Sequence, residues 1–87
     1  MYTGVQWTGT LAASQTQTWF TWGWNPTRHV VWYVMPVTPR IGSPELNWTV
    51  QVERASPTGC TYWITVKNLA AIPVTFEGRY AVLNRET

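Results

Sequence analysis

With 87 residues the chain has material for one domain, since a hydrophobic core usually draws on about 100–150 residues and rarely divides below that. The formal charge is +2, but the cations stand singly at Arg28, Arg40, Arg54, Lys67, Arg79 and Arg85. No stripe exists to track a phosphate backbone, so nucleic acid is not expected as a partner.

The one cysteine, Cys60, excludes an intrachain disulfide and a cysteine-based zinc cluster, and reads as a free thiol. Stability therefore has to come from packing. The chain holds seven Trp, four Tyr and two Phe, each able to bury about 150–250 Å². Charged residues make up 11% of it, against about 25% in an ordinary soluble domain, so solubility rests on Thr, Gln, Asn and Ser. Such a surface suits an extracellular setting, a sugar-binding face, or a protomer covered by copies of itself. The opening MYTGVQWTGT has neither a basic n-region nor an apolar h-region, and no stretch approaches about 18 apolar residues. A membrane partner is not expected, and the chain is read as cytoplasmic or as an already processed secreted protein.

Strand signals follow one another along the chain. Val5, Trp7 and Leu11 are separated by Gln6, Thr8 and Thr10, the turn AASQ follows, and Thr16–Trp24 comes next. This predicts a first hairpin, with Phe20, Trp22 and Trp24 on the inward face. Asn25-Pro26-Thr27 breaks the chain. Residues 30–37 are apolar on both faces and are closed by Pro36 and Pro39, which cannot donate to a ladder, so this run must end a strand or lie at an edge. After the loop RIGSPE, Leu46, Trp48, Val50 and Val52 alternate with Asn47, Thr49, Gln51 and Glu53, a half-buried strand. Ser56-Pro57-Thr58-Gly59 turns the chain, and Tyr62, Ile64 and Val66 face inward opposite Trp63, Thr65 and Lys67. Residues 68–73 lead to Val74, Phe76, Tyr80 and Val82, with Gly78 marking a bulge or a close backbone approach. Six short strands without crossover helices predict an all-β antiparallel sandwich, with a small closed barrel as the alternative.

Catalytic sets are short of members. His29 is the only histidine and aspartate is absent, so a serine triad would need Ser14, Ser43 or Ser56 to meet His29 and a glutamate outside any nucleophile-elbow context. Glu53 and Glu77 fall on outward strand positions, where glutamates are ordinarily solvated. His29 lacks the companions a metal needs. No enzyme activity, catalytic residue, metal or cofactor is expected. Asn47-Trp48-Thr49 fits the N-glycosylation pattern and is read as a chance match.

The surplus of large rings remains. Strand parity assigns Trp7, Phe20, Trp22, Trp24, Trp32, Trp48, Tyr62, Phe76 and Tyr80 to the core and leaves Tyr2, Trp19, Tyr33 and Trp63 facing out. Gln17, Thr21, Asn47 and Thr65 stand beside them, and flat rings among uncharged hydrogen-bonding groups suit sugar, whose C–H faces stack while its hydroxyls seek partners. The sequence thus points to a lectin-like module, with Trp19, Trp63 and Tyr33 as a platform and Trp24, Asn25, Arg28 and His29 as a flanking loop. The rival expectation is a homo-oligomeric assembly unit in which the same rings are buried between copies. A homo-oligomer is expected in either case, because a sandwich this small covers only one face of residues 30–37.

Overall fold

The computed structural model describes residues 1–84; Arg85, counted above among the scattered cations, lies outside the described residues. Among the described residues, six strands and no helix make up the regular structure: β1 (Tyr2–Leu11), β2 (Thr16–Trp24), β3 (Val30–Pro36), β4 (Leu46–Ser56), β5 (Gly59–Asn68) and β6 (Val74–Val82). All pairings are antiparallel, in two three-stranded sheets ordered β1-β6-β3 and β2-β5-β4. The two layers form a small β-sandwich. No helix of the described residues is long and apolar enough to cross a membrane.

β1 and β2 do not form the expected hairpin. β1 pairs with β6, from Tyr2↔Val82 to Leu11↔Val74, and β2 pairs with β5. The turn at residues 12–15 is real, with Gln15 N donating to Ala12 O at 3.0 Å and Gln15 Oε1 accepting from Ala12 N at 2.8 Å, but it carries the chain from one sheet to the other. Packing explains the choice: Trp7 of β1 and Trp19 of β2 both point inward and meet at 5.9 Å across the layers, where each is covered on two sides instead of one. β4 and β5 do form a hairpin, closed by the two-residue turn Pro57-Thr58 between Ser56 and Gly59.

The core is built on Leu11, Trp32, Val34, Ile64, Val66 and Phe76. Phe76 stands edge-on to both Trp7 and Trp19, at 6.3 and 5.3 Å, and so joins the two sheets at the centre. Further along, Trp24 meets Trp32 and Tyr80, each at 5.3 Å. Edge-to-face contacts of this kind each add about 0.5–1.5 kcal/mol to area burial, which is how rings replace cross-links here. Gly78 proves to be a close approach: it is the cross-strand partner of Trp7, and a Cβ at 78 would fall inside the indole. The bulge lies opposite it, in β1 between Val5 and Trp7.

Two expectations about facing are corrected. In β2, Trp19 and Thr21 point into the core, whereas Phe20 and Trp22 point out and are 55% and 71% exposed. Trp24 still reaches the core because a bulge intervenes: the step from Thr21 to Trp24 faces the shorter step from Tyr62 to Cys60 on β5, and Gly23 supplies the required positive φ of 80°. In β4, Leu46 and Trp48 pack against the core, but Val50 and Val52 on the same face are 40% and 64% exposed. β4 has 11 residues and the edge strand it meets, β3, has seven, so one end of its inner face is left uncovered.

β3 is apolar on both faces, as read from the sequence. Trp32 and Val34 are buried while Val31 and Met35 are exposed on the outer side, with exposed Val37 just beyond the strand. Pro36 ends it at the sheet edge, where its missing N–H costs no ladder bond.

Candidate ligand-binding site

The residues singled out from the sequence separate into three places. Trp63 lies on the outer face of the β2-β5-β4 sheet. Trp19 sits on the inner side of that same sheet, half-buried against Trp7 and Phe76. Tyr33 is on the outer face of the other sheet, where the Arg79 guanidinium stands 5.9 Å from its ring centre and Arg79 pairs with Glu77 at 2.9 Å. The platform of Trp19, Trp63 and Tyr33 is therefore not one surface.

The flanking loop is a structural tie. Trp24 is core, with Nε1 donating to Thr21 Oγ1 at 3.1 Å. Asn25 Oδ1 accepts from the Thr27 backbone N–H at 3.0 Å and from its hydroxyl at 2.9 Å, an Asx turn. Arg28 donates to the Tyr2 hydroxyl and stands over the Tyr2 ring. The His29 backbone N–H donates to Asn84 Oδ1 at 2.8 Å, and Asn84 Nδ2 returns a bond to Thr27 O. These contacts pin the loop to both ends of the described chain.

A different group does present rings to solvent. Pairing Phe20↔Trp63 across β2 and β5 stacks the two at 4.9 Å, and Trp22, two residues along β2, lies 5.6 Å from Phe20. Trp63 is 37% exposed, and its Nε1 donates to Glu53 Oε1 at 3.1 Å, which fixes the ring. The result is a row, Trp22, Phe20, Trp63, on the outer face of one sheet. Beside it the register sets Thr18 against Thr65 and Thr65 against Thr49, with Gln51 next to Trp63. The Thr18 and Thr65 hydroxyls share a hydrogen bond of 2.9 Å. Lys67 and Glu53 also lie on this face, and Glu53 is held by the indole.

Between β1 and β2, the edge strands of the two sheets, lies a cleft of about 250 Å³ lined by Gln6, Trp7, Trp19, Thr21 and Trp22, with Phe20 and Ile64 completing it. Gln6 Nε2 donates to Thr21 Oγ1 at 3.2 Å. On the far face, Tyr33, Arg79 and Glu77 border a shallow depression with Thr3, Gly4 and Val5. Glu53 and Glu77 occupy opposite outer faces, so they cannot form a carboxylate pair. Among the described residues no group of three His, Cys or Glu gathers as metal ligands.

Phe20 and Trp22 escape a parity that counts large rings inward. The signal that could have found them is Gly23: a glycine between two tryptophans in a strand marks a bulge, and a bulge reverses the facing of what lies on one side of it. Comparison with protein-family models, curated proteins and solved structures finds no match to this chain.

Proposed function

We propose that the protein is a non-catalytic carbohydrate-binding module whose glycan lies along the outer face of β2 and β5. The observation that carries this reading is the exposed, contiguous row of Trp22, Phe20 and Trp63 among uncharged Thr and Gln side chains. A ring kept in water forgoes much of the roughly 1.5–3 kcal/mol that burying a large apolar side chain brings. Sugar recovers it, stacking C–H faces on the open sides of Trp22 and Trp63 while its hydroxyls exchange hydrogen bonds with Thr18, Thr49, Gln51 and Thr65. Phe20, in contact with both, holds the spacing. Tryptophan fluorescence titrated with linear tetrasaccharides of glucose, mannose, galactose and N-acetylglucosamine tests the reading. Saturable quenching in the micromolar to millimolar range that Trp22→Ala removes supports it, and no response to any of them sinks it.

A second reading concerns assembly, and a separate observation favours it. The outer face of the β1-β6-β3 sheet exposes Val5, Val31 and Met35 around the Glu77–Arg79 pair. Its occupant in this reading is a second copy of the chain, because an apolar surface with one acid and one base at its centre is complementary to itself under a two-fold rotation. Light scattering decides: a mass above the 10.0 kDa of one chain supports the assembly, and a monomer at high micromolar concentration removes it.

A further inference from the structure

The cleft between β1 and β2 has a construction that sheet stability does not require. Both of its walls carry irregularities. The shift in β1 between Val5 and Trp7 makes Gln6 the extra residue, and the shift in β2 between Thr21 and Trp24 opens at Trp22, which keeps the outward facing of Phe20 and lines the cleft. Bulges re-aim side chains and concentrate beside functional sites; here two of them face one opening.

The chemistry inside is uncharged and incompletely used. Thr21 Oγ1 already accepts from Gln6 Nε2 at 3.2 Å and from Trp24 Nε1 at 3.1 Å, so both its lone pairs are occupied and its own proton is left to donate elsewhere. The exposed Gln6 turns its Nε2 to Thr21, which frees Oε1 to accept. One donor and one acceptor thus stand together over the indoles of Trp7, Trp19 and Trp22. At about 250 Å³ the cleft falls below the range of roughly 300–1,000 Å³ that encloses drug-sized ligands. It suits one sugar ring and not a chain.

We propose that this cleft holds the terminal sugar unit of a glycan whose following units lie over Trp22, Phe20 and Trp63, so that the protein reads chain ends. The inference rests on the carbohydrate reading above and adds to it a site and a mode. The terminal ring places vicinal hydroxyls against Gln6 Oε1 and the Thr21 hydroxyl, and Trp22 bounds it at the mouth.

The test pairs each tetrasaccharide named above with its free monosaccharide, followed by tryptophan fluorescence and calorimetry on the intact chain. The monosaccharide should compete with the tetrasaccharide that binds. Gln6→Leu, which keeps the length of an exposed side chain, should weaken that tetrasaccharide by about five- to tenfold, the worth of one hydrogen bond to the sugar. Thr21→Val should do the same; should it fail to fold, Gln6→Leu carries the test alone. If the tetrasaccharide binds, Trp22→Ala abolishes binding, and yet the monosaccharide does not compete and Gln6→Leu binds as the wild type does, the end-reading cleft is wrong while the surface reading stands. If no tetrasaccharide binds the wild type, both fall together.

Discussion

The two sheets share a core and a strand count but show water different things. The outer face of β2-β5-β4 carries a row of aromatic rings set among threonines and a glutamine. The outer face of β1-β6-β3 carries Val5, Val31 and Met35 around one ion pair, with the Tyr33 ring beside Arg79 and with Thr10 and Thr75 bonded at one end. Both faces leave apolar area exposed, yet the chemistry of what would cover them differs. Flat rings with neutral donors and acceptors match a polyhydroxylated ligand; branched side chains around a self-complementary charge pair match another protein surface of the same kind. Exposed hydrophobicity alone would have treated the two as equivalent.

The sharpest way to break this comparison is to ask whether the outer row is structural after all. Phe76→Ala, in the core between the sheets, should cost about 3–5 kcal/mol, a large share of a stability of roughly 5–15 kcal/mol. Phe20→Ala, the same change on the outer face, should cost about 1 kcal/mol or less, the worth of a cross-strand pair. Urea melts of both decide; near-equal losses would make the row a stabiliser of the sheet.

Met35→Glu comes next, and it acts on the other face. Two such carboxylates brought together across a two-fold contact cost several kcal/mol, so the scattering mass should fall to that of one chain while sugar titrations stay unchanged. Trp63→Ala is smaller again: glycan affinity should drop by about 1–2 kcal/mol, roughly five- to thirtyfold, with the mass unaltered. If Trp63→Ala lowers the mass instead, the two faces have been assigned the wrong way round.

The smallest effect belongs to the core between the faces. Burial raises the Tyr62 pKa, and the neighbouring Cys60 adds to the rise. The unfolded chain then loses this proton first, above about pH 10. The folded state binds more protons there, so stability falls as pH rises through that region and has no slope from Tyr62 below it. Tyr62→Phe should flatten the alkaline decline in urea midpoints measured between about pH 9 and pH 11.

Much of the fold is legible in the sequence, and the parts that are not share a cause. The strict alternation of 46–53 and 62–67 gives β4 and β5, and Ser56-Pro57-Thr58-Gly59 gives the turn between them, with Ser, Pro and Gly where a type I turn favours them. The turn AASQ looks no different, yet it joins two sheets; local residues specify that the chain reverses, not whether the arms then pair or pack. In β2 the sequence TWFTWGW offers large rings to both faces, and alternation cannot choose a face when both are aromatic. The contact of Trp19 with Trp7 and Phe76, far apart in the chain, makes the choice. The candidate site follows the same division: Trp63, on a clearly alternating strand, is legible from sequence, whereas Phe20 and Trp22 are not.

The sheet order also sets a timetable for synthesis. β1 finds its partner only in β6, and β2 finds its partner in β5, so as the chain leaves the ribosome the first three strands emerge without a hydrogen-bonding neighbour. β4 and β5 can close on each other early. Six of the seven tryptophans lie in residues 1–48; those of β2 and β4 wait for β5, and Trp7 and Trp32 wait for β6. Folding is therefore governed by distant pairings, which is the slow regime for a chain of this size. A nascent segment with so many exposed rings is prone to aggregate before its partners arrive.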